Sequence, residues 1–127
     1  MNDEKKRILV VDDDVNILRV FKTILQKEGY IVETAETGLD ALEKIKNEKY
    51  SVCIFDVRLP DMDGTELLSK MANDLETIKI IVTGFSSDEV GKRAADFGAD
   101  DFLVKPVKAE EIIATVRDRL NTKEKEN

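Results

Sequence analysis

The hydrophobic pattern of the chain alternates between a strand-like and a helix-like period. Short apolar runs recur at nearly even spacing, at residues 8–11, 30–32, 52–55, 78–82 and 102–104. Four of them are rich in β-branched or aromatic residues, which is typical of strands buried on both faces. The run at 30–32 quickly becomes polar, so we expect it to form an edge strand.

Between these runs, apolar residues recur at helical spacing and predict five helices. The predicted stripes are Val15-Leu18-Phe21-Leu25, Leu39-Leu42-Ile45, Leu67-Leu68-Met71, Val90-Ala94-Phe97 and Ala109-Ile112-Ile113-Val116-Leu120. Asp14, Thr37 and either Ser86 or Ser87 are the predicted N-caps, and Gly29 is predicted to follow the end of the first helix. The fourth stripe is thin, because an alanine buries little apolar area, so we expect that helix to be the least firmly docked.

Five alternations of strand and helix predict an α/β fold, a doubly wound parallel sheet with helices on both faces. Ligands of such sheets bind outside the carboxyl ends of the strands. Polar side chains follow or end four of the predicted strands: Asp12, Asp13 and Asp14, then Asp56, Thr83 and Lys105. Each has an ordinary explanation alone, such as capping or ion pairing, but four coincident strand ends favour a functional site.

Composition narrows the chemistry that this site can perform. The chain has 127 residues, which suits one domain, a net charge of −7, one Cys and no His. The missing His excludes His-based zinc sites and Ser-His-Asp triads, and the acidic charge argues against direct binding to nucleic acid. A lone Cys fits the reducing cytoplasm, and no apolar run is long enough for a signal peptide or for insertion into a membrane.

Clustered carboxylates repel one another and need a compensating cation. Donor sets made of oxygen alone favour Mg²⁺, which shares its coordination sphere with phosphate oxygens. A metal, a carboxylate, a hydroxyl and a lysine together suit phosphoryl transfer, in which a carboxylate can be the nucleophile.

The residues around these strand ends resemble the receiver domain of two-component response regulators. The motifs are Ile8-Leu9-Val10-Val11-Asp12-Asp13-Asp14, Ile54-Phe55-Asp56-Val57-Arg58-Leu59-Pro60-Asp61-Met62-Asp63-Gly64, Ile81-Val82-Thr83-Gly84 and Gly98-Ala99-Asp100-Asp101-Phe102-Leu103-Val104-Lys105-Pro106. The resemblance implies a flavodoxin-like sheet with strand order 2-1-3-4-5. It also implies a receiver domain over 7–121, between a flexible N-terminus at 1–6 and a polar tail at 122–127.

The resemblance implies a set of Mg²⁺ ligands. Asp13 would bind the metal directly, and Asp12 would act nearby, largely through water. The phosphoacceptor Asp56 and the backbone carbonyl of Arg58 would complete the protein's share of the ligands.

Other residues would hold and sense the phosphoryl group. By the same resemblance, Lys105 would pair with Asp56 at rest and with the phosphoryl oxygens after transfer, and a cis bond to Pro106 would place it. Thr83 would donate its hydroxyl to the phosphoryl group, and Phe102 would then rotate into the vacated space. Phe102 has no phenol hydroxyl, so packing would carry the signal.

The function implied is that of a two-component signalling phosphoprotein, not a conventional enzyme. A phosphohistidine of a sensor histidine kinase or phosphotransfer protein would supply the phosphoryl group in trans, because this chain has no His. A downstream protein would bind the face made by helix 4, strand 5 and helix 5. Arg58 and Phe85 would tune the lifetime of the acyl phosphate. Whether the receiver stands alone or belongs to a longer regulator is left open.

Other interpretations fit less well. Asp12 and Asp14 after a strand also resemble the opening of haloacid-dehalogenase phosphatases, but that family needs a longer chain and a lysine before an acidic pair, whereas Lys105 follows one. A calcium loop at 59–70 fails, because its first and twelfth positions are Leu59 and Lys70. The alternative that stays open is a binding module that keeps the receiver fold without responding to phosphorylation.

Overall fold

Five strands and five helices alternate along the chain in the computed structural model, which describes residues 5–84 and 87–126. The strands are β1 (Arg7–Val11), β2 (Ile31–Ala35), β3 (Val52–Phe55), β4 (Ile78–Thr83) and β5 (Asp101–Val104). The helices are α1 (Val15–Lys27), α2 (Gly38–Asn47), α3 (Gly64–Lys70), α4 (Asp88–Asp96) and α5 (Ala109–Glu126). Neighbouring strands are parallel and lie in the order β2-β1-β3-β4-β5. The predicted fold and strand order are confirmed, and β2 is an edge strand as expected.

The helices cover both faces of the sheet and create two apolar clusters. One cluster joins the sheet to α1 and α5 and contains Leu25 and Val116. The other joins the sheet to α2, α3 and α4 and contains Leu67. Adjacent residues of β3 take part in different clusters, Ile54 in the first and Phe55 in the second. Both faces of the strand are therefore buried, which explains why its sequence is a continuous apolar run.

A buried lysine interrupts the apolar sequence of β4. Lys79 is 3% exposed, and its ammonium donates a hydrogen bond to the backbone carbonyl of Asp74 at 2.5 Å. The side chain of Asp74 in turn accepts the backbone N–H groups of Glu76 and Thr77, at 3.2 and 3.1 Å. The turn around Asp74 lies before β4, at the opposite end of that strand from Thr83.

The predicted helix boundaries depend on capping side chains, and the structure contains them. Asp14, Thr37 and Ser87 are the N-caps of α1, α2 and α4, and each side chain accepts a backbone N–H of the first turn. Gly29 follows α1 with φ of 97°, a left-handed conformation that favours glycine. These predictions are confirmed. Ser86, the alternative cap, lies outside the described residues.

Four members of the predicted apolar stripes are exposed in the structure: Val15, Leu39, Phe97 and Ala109, the first residue of α5. Val15 and Leu39, in the first turns of α1 and α2, are 47% and 65% exposed. Phe97 follows the last residue of α4 and is 38% exposed. Periodicity gives the spacing of a stripe but not where the helix starts or ends over the sheet, so terminal members can extend past the core.

Helix α5 continues to Glu126, so residues 122–126, which were expected to belong to a polar tail, extend the last helix. Lys and Glu are good helix formers, and two contacts hold this end. Lys123 donates to the backbone carbonyl of Leu75, and Lys6 lies 3.6 Å from the carboxylate of Glu124. No helix in the described part of the chain has both the length and the apolar character to span a bilayer.

Candidate functional site

The carboxyl ends of β1, β3, β4 and β5 meet at one edge of the sheet. The β1–β3 register brings Asp12 beside Asp56, and the β4–β5 register brings Thr83 close to Lys105. The structure therefore brings together four residues that the sequence predicted from separate strand ends. Their proximity follows from parallel pairing alone, since equivalent ends of parallel strands share an edge.

Lys105 joins the two buried carboxylates of this site. Its Nζ lies 2.7 Å from Oδ2 of Asp12 and 2.7 Å from Oδ2 of Asp56. The side chains of Asp12 and Asp56 are 5% and 10% exposed, and that of Lys105 is 21% exposed. The expected pairing with Asp56 is present, but Asp12 shares the ammonium equally. Two carboxylates at adjacent strand ends repel each other, so one cation between them stabilises both.

The carboxylate of Asp56 is held in its charged form. Burial alone would raise its pKa, but hydrogen bonds from Lys105, from the hydroxyl of Thr83 and from the backbone N–H of Arg58 outweigh burial. The pKa of Asp56 therefore lies below its usual value. A buried carboxylate that stays ionised at neutral pH is suited to act as a nucleophile.

Asp12 responds differently to the same ammonium. Burial raises its pKa, and the hydrogen bonds from Lys105 and from the backbone N–H of Asp14 oppose that effect without cancelling it. Asp56 accepts a third hydrogen bond, from the hydroxyl of Thr83, that Asp12 lacks, and this difference accounts for the opposite direction of the pKa shift. Burial would lower the pKa of Lys105, but its hydrogen bonds to Asp12 and Asp56 outweigh burial and raise it. The lysine therefore remains an ammonium.

The three acids after β1 have three different environments. Asp12 is buried, Asp13 is exposed, and Asp14 caps α1 while its own N–H donates to Oδ1 of Asp12 at 2.9 Å. Across residues 5–84 and 87–126, no group of three or more carboxylate or thiol side chains is arranged to hold a metal ion. The two buried carboxylates are instead bridged by Lys105, and Asp13 faces solvent beside them.

The backbone after Asp56 turns tightly around its carboxylate. The N–H of Arg58 donates to Oδ1 of Asp56 at 3.1 Å, and the side chain of Arg58 is exposed. Arg58 also forms an isolated antiparallel bridge with Asp63. The N–H of Gly64 donates to the carbonyl of Val57 at 2.5 Å. The carbonyl of Arg58, an expected metal ligand, thus belongs to a loop that is closed on itself beside the carboxylate of Asp56.

The structure places the two residues expected to sense the phosphoryl group, Thr83 and Phe102, in different surroundings. Thr83 is 1% exposed and hydrogen-bonds to Asp56. Phe102 is partly buried against the cluster that α2, α3 and α4 share. The bond between Lys105 and Pro106 is cis. Phe85, expected to influence the lifetime of the acyl phosphate, lies outside the described residues.

Sequence reasoning missed one contact of the loop between β3 and α3 and one contact of α3 itself. The carboxylate of Asp61 accepts the backbone N–H groups of Gly38 and Leu39, each at 2.8 Å. The guanidinium of Arg93 in α4 donates to the hydroxyl of Thr65 at 2.8 Å. The partners lie more than 20 residues apart in the chain. The only local signal was an acidic residue in a turn, which is not specific.

Comparison with known families identifies the domain. The sequence model of the response regulator receiver domain matches residues 8–117. The chain belongs to the response regulator receiver family. Receiver domains are the signalling phosphoacceptors of two-component systems, they interact with histidine kinases, and they generally bind Mg²⁺ at an acidic pocket.

Individual relatives agree with this membership. The response regulator ArlR of Staphylococcus aureus strain Mu50 is 38% identical over 112 residues, which are 87% of this chain and 51% of ArlR. This chain thus spans about half the length of the curated relatives that it matches. A receiver domain from Methanospirillum hungatei JF-1 is 43% identical with a TM-score of 0.95, over 98% of this chain and 100% of that one. The receiver domain of a putative Luxo repressor from Vibrio parahaemolyticus is 32% identical with a TM-score of 0.90, over 97% and 95%.

Proposed function

We propose that this receiver accepts a phosphoryl group onto Asp56 from the phosphohistidine of a sensor histidine kinase or phosphotransfer protein, in the cytoplasm and with Mg²⁺. The observation that carries the proposal is the buried carboxylate of Asp56, which shares the ammonium of Lys105 with Asp12 at 2.7 Å. This arrangement combines an ionised carboxylate as nucleophile with an ammonium on a long side chain. The ammonium can move from the carboxylate to the phosphoryl oxygens as negative charge is transferred to them.

The donor set fits Mg²⁺, because every candidate ligand is an oxygen. The carboxylates of Asp12, Asp13 and Asp56 and the backbone carbonyl of Arg58 would hold the ion. In the structure Lys105 bridges Asp12 and Asp56 while Asp13 faces solvent, so the carboxylate of Asp13 would have to turn toward the buried pair to complete this set. When bound, the ion supplies positive charge that compensates the phosphoryl oxygens.

The residues of the chain account for the transfer itself. A carboxylate oxygen of Asp56 forms a bond to phosphorus while the bond from phosphorus to the imidazole nitrogen of the donor breaks, and that nitrogen keeps the electron pair. Lys105 then exchanges a carboxylate partner for a phosphoryl oxygen. The hydroxyl of Thr83 turns from Asp56 to a second phosphoryl oxygen. The product is an acyl phosphate, which water can hydrolyse.

An apolar groove beside Lys105 supports a protein as the phosphoryl donor. The groove encloses about 450 Å³ between α1 and the segment after β5. Ile17, Val20, Phe21 and Pro106 form most of its lining, and Val20 is 52% exposed. A donor protein whose histidine reaches Asp56 would cover this groove. Val20→Asp should therefore slow transfer from a histidine kinase while leaving phosphorylation by a small acyl phosphate unchanged.

The output of the proposed switch is a protein-binding face. After phosphorylation, the movement of Thr83 toward the phosphoryl group would open space for Phe102 to rotate inward. That rotation would change the surface made by α4, β5 and α5. The exposed side chains of Phe97 and Val104, at 38% and 48%, give this face apolar area for a downstream protein.

Intact-mass measurement after incubation with a small acyl phosphate and Mg²⁺ tests the phosphoacceptor. The expected result is the gain of one phosphoryl group, which is lost in Asp56→Asn and absent when a chelator is added. Asp14→Asn is the matched control, since this neighbouring acid caps α1 and should leave the gain intact. No gain with the small donor or with a panel of phosphorylated kinases would contradict the proposal and favour a phosphorylation-independent binding module.

A further inference from the structure

We propose that Asp61 is a positioning residue for the metal-binding part of the site, acting through the first turn of α2. The inference rests on the proposed function, because the groups it positions are proposed ligands of Mg²⁺. Asp61 itself is exposed and does not contact Asp56 or Lys105 through any hydrogen bond of the described residues.

Asp61 fastens the loop between β3 and α3 to another element. Its Oδ1 accepts the N–H of Gly38 and its Oδ2 accepts the N–H of Leu39, both at 2.8 Å. First-turn amides of a helix have no partner within the helix, and they attract negative charge. The N-cap Thr37 uses its hydroxyl on a different amide, that of Asp40. The carboxylate of Asp61 therefore adds a second, charged attachment that comes from a distant part of the chain.

Met62, the residue after Asp61, also packs against the start of α2. A Cβ at position 38 would lie 2.5 Å from both Cγ and Sδ of Met62, so the side chain of Met62 occupies the space that Gly38 leaves. Asp61 and Met62 together hold the tip of the loop against the start of α2. The attachment is thus shaped by steric fit as well as by hydrogen bonds.

The attached loop carries the proposed metal ligand Arg58. The bridge between Arg58 and Asp63 closes the segment that contains Asp61. A segment closed in this way transmits a displacement of its tip to its ends. Holding Asp61 therefore restrains the carbonyl of Arg58.

The segment before α2 also supports the other side of the proposed metal site. The N–H of Asp12 donates to the carbonyl of Ala35, the last residue of β2, at 3.1 Å. Asp12 follows β1 and Arg58 follows β3. Both are linked to the region from the end of β2 to the start of α2, Asp12 directly and Arg58 through the loop that carries Asp61. The β1–β3 pairing already holds these two strand ends together, and the attachments to the end of β2 and the start of α2 add a further restraint on the separation of Asp12 and Arg58. Mg²⁺ demands near-ideal octahedral geometry, so this restraint should favour its binding.

Calorimetric titration of Mg²⁺ into the unphosphorylated protein tests this role. Asp61→Asn keeps the size of the side chain but loses the charge and one acceptor. We expect it to weaken Mg²⁺ binding by about tenfold, the lower end of the cost of losing a group that supports a metal ligand. The Mg²⁺ concentration for half-maximal phosphorylation should rise in parallel, while the rate at saturating Mg²⁺ stays unchanged.

Asp74→Asn is the matched control, because Asp74 also accepts two backbone amides but lies before β4, away from the site. It should leave Mg²⁺ affinity at the wild-type value. Gly38→Ala provides a second, independent variant. Alanine favours the helix more than glycine does, but its Cβ must displace Met62, so Mg²⁺ binding should weaken even if α2 becomes more stable.

The possible results separate the two proposals. If folded Asp61→Asn binds Mg²⁺ with wild-type affinity, the positioning role is overturned and the phosphoacceptor proposal is left intact. If Asp61→Asn does not fold, wild-type affinity in Gly38→Ala has the same consequence. An equal loss of affinity in Asp74→Asn overturns it as well, since the effect would then be general destabilisation. No Mg²⁺ binding by the wild-type protein overturns both proposals.

Discussion

Replacing Lys105 with methionine should destabilise the folded protein strongly. Methionine has a similar length but no charge, so Lys105→Met leaves the carboxylates of Asp12 and Asp56 without their shared cation. Both lie 2.7 Å from Nζ, and their side chains are only 5% and 10% exposed. Removing one partner of a buried ion pair costs about 3–5 kcal/mol, because the remaining charge is left uncompensated. Domains are stable by about 5–15 kcal/mol in total, so the loss is a large fraction.

A second substitution separates charge repulsion from lost packing. Asp12→Asn in the Lys105→Met background removes one of the two unpaired charges and should restore about 1–3 kcal/mol, a coupling typical of residues in direct contact. Urea unfolding followed by far-UV circular dichroism measures each variant, since the chain has no Trp to serve as a fluorescent reporter.

The destabilisation should depend on pH. The pKa of Asp56 is lowered in the folded protein, so its contribution to stability is present above the usual value of 3.8 and is lost as the pH falls. The gap between Lys105→Met and the wild type should narrow as the pH approaches about 4, where carboxylates protonate. A Lys105→Met protein within about 0.5 kcal/mol of the wild type at pH 7, the range of ordinary surface substitutions, would refute the reasoning.

Three further substitutions test individual contacts that stabilise the fold. Gly64→Ala should destabilise by about 2–3 kcal/mol in urea unfolding, because its Cβ would meet the backbone oxygen of Asp56 at 2.1 Å; unchanged stability would contradict that close approach. Hydrogen bonds from Thr77 and nearby amides outweigh burial and lower the pKa of Asp74, so Asp74→Asn should lose less stability than the wild type between about pH 5 and pH 3. If the free energy of unfolding falls equally steeply with pH in both proteins, Asp74 does not contribute to the loss of stability in acid. Ser87→Ala should cost about 1 kcal/mol and speed amide exchange in α4, whose N-cap it removes; exchange at the wild-type rate would argue against the cap.

Local chemistry explains which features could be predicted from the sequence. Asp14 and Thr37 cap their helices through amides within a few residues, and Gly29 takes the left-handed conformation that follows a helix. The apolar runs predicted the strands because both faces of the sheet are covered. The strand order came from the family resemblance, since alternation alone leaves several orders open.

Features that depend on distant residues could not be predicted from the sequence alone. The shared ammonium joins Lys105 to Asp12 across 93 positions, and no spacing rule distinguishes that pairing from one with Asp56 alone. Asp61 reaches the amides of α2 from more than 20 residues away. The exposure of Leu39 depends on where α2 begins relative to the sheet, which its periodicity does not give.

The central claim, that Asp56 is the phosphoacceptor, is tested most directly by locating the acyl phosphate. Borohydride reduces an aspartyl phosphate to homoserine, which marks the modified position for peptide mass spectrometry. After treatment with a small acyl phosphate and Mg²⁺, we expect homoserine at position 56 and aspartate at positions 12 and 13. Homoserine at position 12 or 13, or aspartate at all three positions, would contradict the account.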